Sequence, residues 1–350
     1  MPKRIAIIGA GATGMTACKA CLEQGFDVVV FERTNYTGGL WRYQESLDEN
    51  GTASVMRSTI INSSKEMSAF SDFPPPAEFP NYMHNTKMVH QHVAYFDMYA
   101  EKFNFKKYVQ FRNEVVSIEQ ADNYDQSGCW VVRTRNLDTL AESSVQFDGV
   151  MICTGHHGTV NQPKLKGEEK FKGQIMHTHS LKHSDGFEGK NVVVIGIGNS
   201  GMDAAVEISQ VTKQVNDALP NRILSGTVIV KGDIDHLTEK GVVFKNEPDK
   251  VVEVDCIIKA TGYKITFPFI SEKIVSVKGN KVRLYKHQFV PQLKHPSLAF
   301  IGLIQPIGAL LPISEMQSRW YAQLMAGNLR LPSVEQMEKD IKAKEDELAW

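Results

Sequence analysis

Cysteine, net charge and long apolar runs are all scarce in this sequence. Five cysteines in 350 residues are too few and too scattered for a disulfide framework, which indicates reduced thiols. Lysine and arginine together number 39 against 40 for aspartate and glutamate, so no charge excess favours a nucleic-acid or membrane-surface partner. Because no run of about 18 apolar residues occurs, no segment is predicted to span a bilayer.

Motifs for nucleophilic or metal chemistry are missing as well. No GxSxG nucleophile elbow occurs. Cys18 and Cys21 form a CxxC pair, but they lie inside a predicted helix with no second pair to complete a zinc site, so packing is the interpretation. No carboxylate or third histidine stands at ligand spacing from the remaining candidates, His156, His157, His177 and His179. No metal is therefore predicted.

Two segments share one local pattern, in which a β-branched run is followed by a GxGxxG turn and a predicted helix. The first turn comprises Gly9, Ala10, Gly11, Ala12, Thr13 and Gly14. The second comprises Gly196, Ile197, Gly198, Asn199, Ser200 and Gly201. A pyrophosphate needs small residues because it approaches the backbone closely, and it is attracted by the partial positive charge of the helix N-terminus. Each turn therefore predicts a dinucleotide site.

The first turn has further support downstream. A second β-branched run ends at Glu32, which follows Gly14 by 18 residues, close to the spacing of about 20 expected for an acid that binds a ribose hydroxyl. A carboxylate there favours an unphosphorylated ribose, hence FAD or NAD and not NADP. The pair Gly38-Gly39 lets the backbone pass close to a ligand, and Trp41 is placed to pack on it. With a second turn present, the sequence predicts a flavoprotein that binds FAD and a nicotinamide cofactor for hydride transfer.

The predicted fold class is α/β, with two Rossmann-like dinucleotide-binding domains. The domain that binds NADP is inserted into the domain that binds FAD. Residues 1–158 and 266–350 are expected to form the FAD-binding domain, and residues 159–265 an incomplete NADP-binding domain. Residues 216–250 specify no clear element, and residues 251–258 are predicted to form one strand.

In these features the sequence resembles the flavin-containing monooxygenases, the animal members in particular. Residues 171–177 fit the first part of the family's FxGxxxHxxx(Y/F) fingerprint, which stands just ahead of the second GxGxxG in that family. Other segments that resemble the family, in its order, are Phe31-Glu32-Arg33, Gly38-Gly39-Leu40-Trp41, 62–67, 260–263 and 302–320. The similarity runs over nearly the whole chain.

The resemblance implies FAD and NADPH as cofactors and gives roles to particular residues. Glu32 would hold the FAD ribose, the first turn would hold the pyrophosphate, and Leu40 and Trp41 would line the flavin site. Asn62, with its neighbours Ile61 and Ser63, would lie between the isoalloxazine and the nicotinamide as the catalytic residue. The implied NADP contacts are Gly196, Gly198, Ser200, Gly201, Met202 and Asp203.

The implied activity is NADPH- and O2-dependent oxygenation of a soft nucleophilic nitrogen or sulfur atom in a small molecule through a C4a-hydroperoxyflavin. Tertiary amines and sulfides are the expected substrates. The resemblance implies a location at the endoplasmic reticulum membrane. The hydrophobic C-terminal anchor of the animal members is absent, however, so the sequence itself predicts a cytosolic or peripheral location.

The chain departs from the family in two places. Leu181 stands where the fingerprint ends in an aromatic residue. Residues 206–220 contain neither the strand nor the arginines that follow the second helix in the family, and Lys213 or Arg222 is a disfavoured substitute for the lost cation. A large insertion that follows in the family is also mostly missing. The chain is therefore predicted to be internally deleted and C-terminally truncated.

Alternative functions stay open at this point. A Baeyer–Villiger monooxygenase would need a Trp at the end of the fingerprint, which Leu181 does not provide. A disulfide reductase needs a cysteine pair beside the flavin, whereas Cys18 and Cys21 lie on the pyrophosphate helix. The remaining alternative is a protein that binds FAD but is catalytically impaired, a remnant or splice form with weak NADPH binding.

Overall fold

The computed structural model describes residues 1–45, 55–86, 89–211, 219–224, 226–306 and 308–347. The strands are β1 (Arg4–Ile8), β2 (Asp27–Phe31), β3 (Asn85–Thr86), β4 (Val89–His90), β5 (Val109–Gln110), β6 (Asn113–Gln120), β7 (Trp130–Asn136), β8 (Glu142–Phe147), β9 (Gly149–Ile152), β10 (Thr159–Val160), β11 (Gln174–His177), β12 (Val192–Ile195), β13 (Ile234–Leu237), β14 (Gly241–Phe244), β15 (Glu247–Glu253), β16 (Cys256–Lys259), β17 (Tyr263–Lys264), β18 (Val277–Lys278), β19 (Lys281–Val282) and β20 (Leu298–Phe300). The helices are α1 (Ala12–Glu23), α2 (Gln91–Lys102), α3 (Tyr124–Ser127), α4 (Asn199–Val211), α5 (Leu219–Leu224), α6 (Leu311–Met325) and α7 (Val334–Glu347).

The first sheet has five parallel strands in the order β20-β9-β1-β2-β5. Its central strand β1 shows why an apolar run suits a sheet covered on both faces, since side chains alternate between the faces. Ile5 and Ile7 pack into the cluster formed with α1 and α6. Ala6 and Ile8 pack into the opposite cluster, against the antiparallel sheet β6-β7-β8.

A second parallel sheet has the order β11-β16-β12. Helix α4 covers one face and the antiparallel sheet β13-β14-β15 covers the other. Leu181 is 1% exposed and packs with Ile208 and Phe187 in the cluster below α4. The aliphatic residue therefore fills the position where the fingerprint has an aromatic one.

One edge of the second sheet, along β12, has no strand partner among the described residues. The strand that a dinucleotide fold places there would follow α4, which ends at Val211. Residues 212–218, and with them Lys213, lie outside the described residues. Every residue of β12 is partly exposed.

The second sheet is inserted between two neighbouring strands of the first, β9 and β20. The two crossings of the chain run side by side, because β10 pairs antiparallel with β17. The Asn161 side chain donates to the Thr261 carbonyl at 3.1 Å, and the Thr261 hydroxyl donates back to the Asn161 carbonyl at 2.5 Å. The predicted fold class, α/β with two Rossmann-like units, is confirmed. The boundaries at 159 and 265 stay a prediction.

Two local predictions in the second unit were wrong. Residues 251–258 are not one strand, since β15 ends at Glu253 and β16 starts at Cys256. Between them the chain turns from an antiparallel hairpin into the parallel sheet, with the Val254 amide donating to the Lys240 carbonyl at 3.1 Å. The segment that specified no element contains α5 and the hairpin strands β13 and β14.

Candidate active site

The first glycine turn joins β1 to α1 with no room for side chains at two of its glycines. Gly9 has φ +107°, and a Cβ there would lie 2.7 Å from the Cys153 carbonyl oxygen. A Cβ on Gly14 would lie 2.0 Å from the Gly9 carbonyl oxygen. Gly11 caps α1 without a side-chain hydrogen bond, so the helix N-terminus is left to a ligand. The cradle fits a diphosphate group.

The Glu32 carboxylate lies at the end of β2 beside this turn. One oxygen accepts the Ala10 amide at 2.8 Å, and the other accepts the amide and hydroxyl of Thr34, each at 2.8 Å. These three donors fix the orientation of the carboxylate. Because two carboxylate oxygens offer about four acceptor sites, capacity remains for a ribose hydroxyl.

A glycine loop closes over the first turn. The Gly38 amide donates to the Ala10 carbonyl at 3.1 Å, and a Cβ on Gly39 would lie 3.2 Å from the Gly11 Cα. Leu40 and Trp41 follow in a short 3-10 turn and are partly exposed. The structure therefore brings the predicted Leu40 and Trp41 to the same place as the pyrophosphate turn.

Asn62 lies in a second loop, where its side chain is exposed while Ile61 is buried. The Ser63 hydroxyl is hydrogen-bonded to the Ser68 hydroxyl at 2.5 Å. The position of this loop depends on a buried cation that the sequence did not single out. The Lys65 ammonium donates to the carbonyls of Pro76, Ala77 and Phe79 at 3.2, 2.8 and 2.5 Å. A satisfied buried ammonium thus ties the Asn62 loop to residues 70–80, a proline-rich segment that contains Pro74, Pro75, Pro76 and Pro80.

A further wall of the first site comes from the C-terminal part of the chain, and it was not predicted as a site. Gly302 follows β20 at φ +75°, and a Cβ there would lie 2.5 Å from the Thr13 side chain. The Gly302 amide donates to the Gln317 side chain at 2.9 Å. The Gln317 backbone carbonyl in turn accepts a hydrogen bond from the side-chain amide of the fully buried Gln288 at 2.8 Å. Gln317 therefore holds the backbone of Gly302, which lies close to Thr13 of α1. In the sequence, Gln317 was marked only by its place in the family-like segment 302–320.

The second glycine turn joins β12 to α4 with nearly the same backbone. Gly196 also has φ +107°, and a Cβ there would lie 2.5 Å from the Ala260 carbonyl oxygen. A Cβ on Gly201 would lie 2.2 Å from the Gly196 carbonyl oxygen. The predicted contacts are thus gathered at the N-terminus of α4, and four of them, Gly196, Gly198, Ser200 and Met202, are exposed.

Asp203 is the acidic member of this second group. Burial, followed by the charge of the nearby Glu207, raises its pKa. The Glu207 carboxylate is itself buried and accepts the Ser184 hydroxyl at 3.2 Å. An ionised carboxylate at the start of α4 would disfavour the anionic cofactor that is predicted to bind there.

The cysteine and histidine motifs have structural surroundings. All five thiols are free and buried, and burial raises the pKa of Cys18 to about 12. His157 packs against His156 and Tyr263, with burial lowering its pKa to about 4. Within the described ranges, no cluster of His, Cys, Asp or Glu has an arrangement that could hold a metal ion.

No helix in the described part of the chain is long and apolar enough to cross a membrane. The location of the protein, at the endoplasmic reticulum membrane or away from it, stays a prediction.

Known proteins with similar sequences include monooxygenases. A family model for flavin-binding monooxygenase-like proteins matches residues 2–215 and 213–350. The chain is 40% identical over 423 residues to rabbit flavin-containing monooxygenase 5, covering 99% of this chain and 78% of that protein. It is 38% identical over 428 residues to rabbit dimethylaniline monooxygenase [N-oxide-forming] 2, covering 100% of this chain and 78% of the relative.

Solved structures agree in fold. S-allyl-L-cysteine S-oxygenase from Allium sativum has a TM-score of 0.82 at 26% identity, covering 100% of this chain and 82% of that chain. A cyclohexanone monooxygenase (TM-score 0.65, 15% identity, 93% of this chain and 88% of that chain) and a bacillithiol disulfide reductase from Bacillus cereus (0.71, 17%, 94% and 100%) share the fold alone. Neither alternative enzyme class gains support from such distant likeness.

The comparisons also bear on the predicted internal deletion. The alignment to the rabbit relative spans 423 residues, more than the 350 of this chain. The relative therefore carries residues inside the aligned span that this chain lacks. The two segments matched by the family model meet at residues 213–215. This is where the sequence analysis predicted that a strand of the family is missing.

The family binds flavin, in agreement with the first glycine turn. FAD and NADPH are the two cofactors that its two nucleotide-binding units bind. The match covers both glycine turns, Glu32, the Asn62 loop and the Gln317 helix. The chain belongs to the flavin-binding monooxygenase-like family.

Proposed function

We propose that this chain is an NADPH- and O2-dependent monooxygenase that transfers one oxygen atom to a soft nitrogen or sulfur of a small molecule. NADPH, a proton, O2 and the amine or sulfide would give NADP+, water and the N-oxide or S-oxide. The observation that carries the proposal is the presence of two glycine turns of closely similar geometry, each at the carboxyl edge of a parallel sheet.

The first site would hold FAD. The turn from Gly9 to Gly14 would surround the diphosphate, and Glu32 would accept a hydroxyl of the adenosine ribose. Bound FAD supplies the two-electron chemistry that links NADPH, O2 and the substrate. The contribution of the protein is to bind, to orient and to exclude water.

Asn62 would act at the reacting face of the cofactor. Its amide can donate a hydrogen bond to a reduced or oxygenated group, yet it has no proton that titrates. The neighbouring side chains keep it in place, because Ile61 is buried and Lys65 is anchored by three carbonyls. The catalytic requirement is therefore placement, and no acid–base pair is needed.

The second site would hold NADPH at the start of α4, through the glycines at 196, 198 and 201 and the residues at 200, 202 and 203. The two segments matched by the family model meet at residues 213–215, shortly after α4. The second candidate function is therefore a protein that binds FAD but reduces it poorly with NADPH. The unpaired edge of β12 among the described residues favours it.

Anaerobic reduction by NADPH separates the two candidates. A monooxygenase should lose its flavin absorbance rapidly, with a rate that saturates at low NADPH. In air, it should then form an amount of sulfoxide or N-oxide equal to the NADPH consumed. Slow reduction that never saturates would instead support the impaired form. NADPH oxidation without any oxide would contradict productive oxygenation.

A further inference from the structure

A crevice of about 370 Å³ lies beside the Asn62 loop. The turn after Asn62 forms one wall, the proline-rich segment the second, and the first turn of α6 the third. Its lining is mostly apolar and consists of Glu66, Ala69, Phe70, Ser71, Pro74, Pro75 and Pro312. Prolines and a buried phenylalanine give such a crevice rigid walls, which limits the entropy lost on binding.

Two exposed methionines are close in the chain to residues of the lining. Met316 is exposed and lies one helical turn after Pro312 on α6, so the two share a face. Met67 is exposed beside Glu66. Methionines suit surfaces that accept ligands of different shapes.

Glu66 is the one charged residue in the lining. Its side chain is exposed, and no ion pair joins it to another described residue. The nearby charges are already paired. Glu315 accepts the Ser71 amide and hydroxyl at 2.8 and 2.7 Å and pairs with Arg319 at 2.7 Å. Asp72 pairs with Lys19 at 2.5 Å.

We propose that this crevice binds an organic cation with an apolar body, whose ammonium group lies at Glu66. The inference rests on the proposed function and deepens it, because the crevice would hold the end of the substrate remote from the oxidised atom. Glu66 follows Asn62 by four residues, so their Cα atoms lie at most about 14 Å apart. The favoured substrates would carry a neutral sulfur or nitrogen at Asn62 and a separate ammonium group at Glu66.

Binding of a compound that cannot be oxidised tests the crevice without catalysis. We would measure the affinity of 4-phenylbutyltrimethylammonium and of its uncharged carbon analogue by calorimetry. The cation should bind about threefold more tightly, a factor that added salt reduces, as expected for an exposed ion pair. Glu66→Gln should remove the preference. Glu78→Gln, on the same proline-rich segment but outside the lining, should keep it.

Kinetics provide the second measurement. A thioether with a distal trimethylammonium group should have a lower KM than its carbon analogue at similar kcat, and Glu66→Gln should raise that KM alone. The proposal is overturned by equal binding of both probes to the wild-type protein, by no binding of either, or by a preference that survives Glu66→Gln. If the probes behave as expected but no oxide forms, the crevice stands and the monooxygenase function fails.

Discussion

The two glycine turns have the same backbone and different surroundings. Gly9 and Gly196 share φ +107°, and a Cβ on Gly14 or Gly201 would lie at a similar distance, 2.0 or 2.2 Å, from the carbonyl oxygen five residues earlier. Despite this similarity, Ala10 at the second position of the first turn is 0% exposed, while Ile197 at the equivalent position is 86% exposed. The turn itself is therefore a local structure, and the neighbouring elements decide how completely it encloses a ligand.

Those neighbours are a strand and a loop. Strand β1 lies between β2 and β9, so the end of β2 can present Glu32 to the turn and the Gly38 loop can cover it. Strand β12 pairs only with β16 among the described strands. The difference indicates that the enclosure of a dinucleotide turn depends on the second strand.

Of the substitutions at the two turns, Gly14→Ala is expected to have the largest effect on cofactor binding and stability. Its Cβ would lie 2.0 Å from a backbone oxygen in the core, crowding that costs about 1–3 kcal/mol or more. The purified variant should be colourless with a lowered thermal midpoint. Gly201→Ala is crowded similarly, at 2.2 Å, but should keep its flavin and lose reduction by NADPH. Full flavin content in Gly14→Ala would contradict the comparison.

Glu32→Gln should weaken FAD binding at the first site and leave the fold intact. The amide can still accept from Ala10, but a hydrogen bond to a charged group, worth about 1.5–3 kcal/mol, becomes a neutral one. We expect FAD affinity to fall about 10- to 100-fold when the apoprotein is titrated with flavin. Glu23→Gln, at the exposed end of α1, is the matched control. Equal affinities in the two variants would remove Glu32 from the site.

Asp203→Asn should change the pH dependence of stability modestly. The pKa of Asp203 is raised above its ordinary value of 3.8 in the folded protein, so the wild-type protein loses stability as pH rises from that value through the raised pKa. The Asn variant lacks this loss and should be more stable at neutral pH, by about 0.5 kcal/mol, with no gain below pH 3.8. Denaturant unfolding at both pH values measures it. A gain that is the same at both would exclude ionisation as the cause.

Ile197→Ser is expected to have the smallest effect. The side chain is almost fully exposed, so its removal should change the unfolding free energy by less than about 0.5 kcal/mol. Thermal denaturation of the variant and the wild type would check this. A loss above about 1.5 kcal/mol would show that the second turn is enclosed after all, contrary to the comparison.

Features set by local backbone chemistry could be predicted from the sequence. The glycine turns follow from positive φ at Gly9 and Gly196 and from the crowding of Gly14 and Gly201 against carbonyl oxygens five residues earlier. Glu32 follows from its place directly after a short β-branched strand. Lys65 and Gln317 could not be predicted, because their partners lie elsewhere in the chain, at Pro76 to Phe79 and at Gly302. The hairpin in the second unit was missed because its strands are stabilised by tertiary packing against β12 and β16.

The antiparallel pair β10 and β17 has an evolutionary consequence. Because these two strands pair, the chain leaves the first unit and returns to it at adjacent points. The number of residues between 161 and 262 can therefore change without separating those points. Insertions or deletions between these points would therefore leave the predicted FAD-binding domain undistorted. Relatives longer in this stretch can therefore share an unaltered first site with this chain. A variant in which a tight turn replaces residues 161–262 should be shorter and should still bind FAD, which would make it yellow.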